Sequence, residues 1–85
     1  MKNIDIIAEM QSMLKELRDE ISQLRKKGID AKIAELKIIN IPSKIQMAEI
    51  TKKDDDIIKA RQLILEAKKE IESIRKENGQ SISKF

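Results

Sequence analysis

KIINIPSKIQM, residues 37–47, is the most isoleucine-rich stretch of the chain, and Pro42 stands in its middle. Proline inside a helix removes one backbone donor and crowds the carbonyl four residues back, here that of Ile38, at about 3 kcal/mol or more. The reading of this stretch decides between three long helices and four shorter ones. A break is favoured by Ser43-Lys44-Ile45-Gln46, which has the form of a capping box opening a new short helix. A kink is favoured by phase. Stepping about 100° per residue, one apolar stripe holds Ile29, Ile33, Leu36, Met47 and Ile50, and a second, roughly opposite, holds Ala34, Ile38, Ile41, Ile45 and Ala48. Both stripes cross Pro42 without slipping, whereas a loop would reset them. The sequence therefore predicts a middle helix over about residues 30–51, kinked or briefly broken at Pro42. A hinge or ligand notch at Asn40 to Ser43 is the functional alternative. A helix that is apolar on two sides must be covered on two sides, so a neighbouring helix is expected against each stripe.

Both neighbours are legible. Ile7, Met10, Leu14, Leu17, Ile21 and Leu24 recur at alternating intervals of three and four, the spacing of a coiled-coil seam, and predict a first helix over about residues 3–27. Lys26 and Lys27 suit the negative end of its dipole, and Gly28 can take the left-handed conformation that closes it, with Ile29 reaching back toward Leu24. Asp30 then reads as the N-cap of the middle helix. Thr51-Lys52-Lys53-Asp54 resembles a capping box for the third helix, with Asp55 and Asp56 in the first turn where the dipole favours negative charge. Ile57, Ala60, Ile64, Ala67, Ile71 and Ile74 repeat the seam spacing over about residues 52–77, and the two alanines invite close approach. Asn78-Gly79 ends this helix, leaving 80–85 as a frayed tail. The expected architecture is all-α: one domain over 1–79, an antiparallel three-helix bundle. At an offset of 50 residues, Asp5, Ile7, Glu16, Glu20, Ile21, Arg25 and Lys26 recur as Asp55, Ile57, Glu66, Glu70, Ile71, Arg75 and Lys76. An ancient duplication would explain this, and convergence of two Lys/Glu/Ile helices explains it as well; one pair of matching helices is too little for a repeat protein.

Composition removes most chemistry. The 85 residues contain no Cys, His, Trp or Tyr and a single Phe, so cysteine-based zinc sites, disulfides, histidine bases and aromatic stacking platforms are all excluded. Charged residues are 39% of the chain but the net charge is only +3, spread without a like-charged block. High Lys and Glu without Cys fits a thermophilic source, and an AT-rich genome gives a similar bias. No apolar run approaches the roughly 20 residues that span a bilayer, and the N-terminus lacks the form of a signal peptide, so a cytoplasmic protein is expected. Consecutive Asp54, Asp55 and Asp56 point in different directions on a helix and suit capping better than a cation site. Glu16/Glu20 and Glu66/Glu70 lie on or beside the solvated face. Leu14, Leu17, Arg18 and Ile21 match the L-x-x-L-R-x-x-I stretch of small all-helical chorismate mutases. Glu35 stands where that family's next arginine would fall, so the likeness ends at those eight residues. No cofactor, metal or enzymatic activity is expected.

What remains is surplus apolar surface. Ile58 and Leu65 lie seven apart, away from the third seam, and Ile6 and Met13 flank the first. Aligned pairs of this kind suggest a contact surface. The functional expectation is a protein–protein interaction module that associates with itself, most simply as a two-fold homodimer, or with a larger protein partner. The alternative is nucleic-acid binding through Arg25, Lys26, Lys27, Arg75 and Lys76, which an up-down-up bundle gathers at one end. Cations at helix C-termini are, however, expected on dipole grounds alone.

Overall fold

The computed structural model describes residues 3–77, so the Asn78-Gly79 ending and the tail over 80–85 lie outside the described residues. Four helical segments are described: α1 (Asn3–Lys26), α2 (Lys32–Ile39), α3 (Ile41–Thr51) and α4 (Asp54–Arg75). α2 and α3 are the halves of one bent middle helix, and no strand occurs among the described residues. Two ion pairs set the directions. Arg75 Nη2 lies 3.8 Å from Glu20 Oε2, and Arg25 Nε lies 3.3 Å from Glu35 Oε2. The first joins the C-terminal thirds of α1 and α4; the second joins the end of α1 to the start of α2. α1 and α4 therefore run parallel and the middle helix runs antiparallel to both, each packing on the other two.

Each turn follows from local chemistry. Gly28 has φ 79°, its N–H donates to the Arg25 carbonyl, and the Ile29 N–H donates to the Leu24 carbonyl, each at 2.9 Å. This is the Schellman closure, and half-buried Ile29 completes it by packing on the core. Asp30 stands one place further out than an N-cap. Its carboxylate accepts the Lys32 N–H at 3.0 Å, but the cap residue is Ala31, so α2 opens at Lys32. The middle helix is interrupted at Asn40 alone. Asn40 keeps right-handed angles, φ −88° and ψ −6°, and its N–H turns to the Ile38 carbonyl that Pro42 cannot serve. Pro42 thereby falls in the first turn of α3, where a missing donor costs little. Ser43 does not cap α3: its hydroxyl donates to the Asn40 carbonyl at 3.0 Å.

The expected capping box at Thr51 is also replaced. Lys52 turns to φ 58° and closes α3 through its N–H to the Ala48 carbonyl at 2.8 Å, which makes Thr51 the last residue of α3. The Thr51 hydroxyl then donates to Asp56 Oδ2 and accepts the Lys53 N–H at 3.3 Å. Thr51 so fastens the end of α3 to the first turn of α4, where Asp54, Asp55 and Asp56 all lie.

The core is the meeting of three seams. All six predicted positions of the first seam are buried, as are all six of α4. The middle helix contributes Ala31, Ala34, Ile41, Ile45 and Ala48, with Ile38 half-buried between them. These positions step 3-4-3-4-3 straight through Asn40, because one residue in right-handed geometry does not reset the phase. The seams of α1 and α4 match at an offset of 50 throughout. Two parallel helices sharing one partner need their layers at equal heights, which accounts for the matching seams.

Candidate interaction surface

The middle helix departs from expectation in one respect. It does not lie between its neighbours with a helix against each stripe. A single stripe, Ala31 to Ala48, meets both α1 and α4, and the opposite stripe faces outward. Small residues decide this: Ala31, Ala34 and Ala48 let two helices close on one face, and three helices around a shared core leave each a back that nothing covers. On the middle helix that back is apolar. Ile33, Leu36, Ile39, Met47 and Ile50 are between 50 and 70% exposed. Ile29, the first residue of the same stripe, is turned onto the core by the closure of α1.

The predicted contact residues separate by place. Ile58 and Leu65 are each 51% exposed, while Ile6 and Met13 are half-buried and packed on the core. In the register set by the Glu20–Arg75 pair, Ile6 and Met13 flank the α1 seam on the side that meets α4. Ile58 and Leu65 lie on the same side of α4, further from the core. These four residues therefore belong to the α1–α4 side, away from the back of α2–α3. Sequence reading found the outward stripe as a stripe but assigned it a covering helix. The signal that could have exposed it is the alanine content of the other stripe, since the smaller side marks the closer approach.

The basic residues do gather at one end, but among carboxylates. Arg25 is paired with Glu35 and Arg75 with Glu20. Lys26, Lys27 and Lys76 are exposed, with Glu77 exposed beside them. An open groove of about 590 Å³ between α1 and α2 is lined by Arg18, Ser22, Arg25, Lys26 and Glu35 with Ile21 and Ile38, a mixed rather than a cationic wall. Among the described residues no three acidic side chains come close enough to hold a metal ion. No helix among them is long and apolar enough to cross a membrane. Comparison of this chain with protein-family models, curated proteins and solved structures finds no match in any of the three.

Proposed function

We propose that the chain is a non-enzymatic association module whose role is to bind protein, in the first place itself. The observation that carries this reading is the outward face of α2–α3, where five large apolar side chains stand in solvent within 18 residues. Scattered exposed hydrophobes are ordinary, but large apolar side chains aligned on one helix face of a small domain are the mark of an interaction surface. The mixed charge of the helix ends supports phosphate binding less well, because Arg25 and Arg75 there already have carboxylate partners.

The test is solution mass by light scattering coupled to gel filtration, over a concentration series and at low and high salt. The wild-type chain is expected to run as more than one copy at both salts, because apolar contact is not screened. Leu36→Lys with Met47→Lys is expected to give a monomer of unchanged helicity, since both side chains already face water. A wild-type chain that stays monomeric at every concentration would refute the reading.

A further inference from the structure

We infer that the outward face of α2–α3 is covered by the same face of a second copy, lying antiparallel across a two-fold axis that passes between Asn40 and Ser43. The inference rests on the association reading and adds the occupant and its register. Positions 33, 36, 40, 43, 47 and 50 form one outward line, spaced 3-4-3-4-3. In a two-fold contact, residue i meets j while j meets i, so the line must be self-complementary from end to end. This one is. Turned about its midpoint, Ile33 meets Ile50 of the partner subunit, Leu36 meets the partner's Met47, and Asn40 meets the partner's Ser43. Apolar ends face apolar ends, and the only two polar members face each other at the axis. A polar pair at one place in an apolar seam sets register, because a slip would leave Asn40 against hydrocarbon.

One further observation favours this occupant. In each copy α1 and α4 point the same way and only the middle helix opposes them, which leaves a net dipole of about one helix. An antiparallel second copy cancels it, and a parallel one doubles it. The line is roughly 27 Å long at 1.5 Å per residue and a helix with its side chains is about 10–12 Å wide, a strip of roughly 300 Å² in projection. That is below the roughly 800 Å² per partner typical of specific interfaces, so the pair is expected to dissociate on dilution. Lys37 and Lys44 flank the line and come near each other's mates across the axis. Added salt should therefore leave the pair intact or strengthen it, unlike an ion-paired interface.

The chain has no cysteine, so disulfide mapping is clean. Leu36→Cys and Met47→Cys chains, distinguished by a mass tag, are mixed and oxidised, with Ile33→Cys and Ile50→Cys as an independent second pair. Mixed Leu36→Cys/Met47→Cys dimers are expected to predominate over either self-pair. In the proposed register two copies of position 36 are separated by 11 residues, roughly 16 Å along the helix, beyond the reach of a disulfide. Dominant self-pairs would overturn the antiparallel register and indicate a parallel arrangement. No disulfide from either pair, with light scattering still reporting a dimer, would place the contact on another face and leave the association reading standing. A monomer at every concentration would remove both.

Discussion

Two of the described residues, Gly28 and Lys52, occupy the left-handed backbone region, and they make opposite predictions. Gly28, at φ 79°, has open space where a Cβ would stand, so a side chain there costs backbone strain alone. Gly28→Ala is expected to destabilise the chain by about 1–2 kcal/mol in urea denaturation, with Gly28→Asn falling between the two. Lys52 holds φ 58° with a full side chain. Lys52→Gly should therefore gain about 0.5–1 kcal/mol by the same measurement, offset in part by the freer unfolded chain. If the two substitutions shift stability in the same direction, the closures of α1 and α3 are not held as described. Gly28 was legible because a glycine after two lysines at the end of a seam has one evident use. Lys52 was not, because lysine has no preference for that conformation and only the chain on either side imposes it.

At the scale of the element, the middle helix is where sequence and structure inform each other most. Its interruption at Asn40 leaves Pro42 in the first turn of α3, so Pro42→Ala is expected to change stability by no more than about 1 kcal/mol. Lys44→Pro, only two residues on, removes the N–H that bonds the Asn40 carbonyl at 3.2 Å. It should cost about 3 kcal/mol or more in urea denaturation, which also reads the Pro42→Ala change, despite the exposed side chain. Equal costs for the two would mean that Pro42 sits in a helix interior after all. In α4 the alanines of the seam set how near its neighbours come. Ala60 and Ala67 are fully buried, and Ala67→Leu is expected to destabilise by about 1–3 kcal/mol through overpacking.

For the whole molecule, the question is which exposed apolar side chains act together. Ile58 and Leu65 share the α1–α4 side with half-buried Ile6 and Met13, whereas Ile33, Leu36, Ile39, Met47 and Ile50 make the back of α2–α3. If the two-fold contact uses that back, Ile58→Lys with Leu65→Lys should give a folded chain whose light-scattering mass matches the wild type. Circular dichroism would report intact helicity in the same sample. A monomer from that double variant would instead assign the contact to the α1–α4 side. The two double-lysine variants thus divide the surface between them.

The sequence by itself determined the helices, their seams and the interruption near Pro42. Those features follow from spacing along one chain and from residues whose backbone preferences are strong: alternating threes and fours, a glycine after lysines, a proline between stripes in phase. It also determined that three such helices share one core, since every predicted position of the first and last seams is buried. What only the tertiary structure decided is which side of the middle helix meets that core. Both of its stripes were apolar, and hydrophobicity along a chain does not distinguish a side that is covered from a side that is left. The choice lay in distance between helices. Ala31, Ala34 and Ala48 allow α1 and α4 to close on one face, and that closure leaves Ile33, Leu36, Met47 and Ile50 facing water.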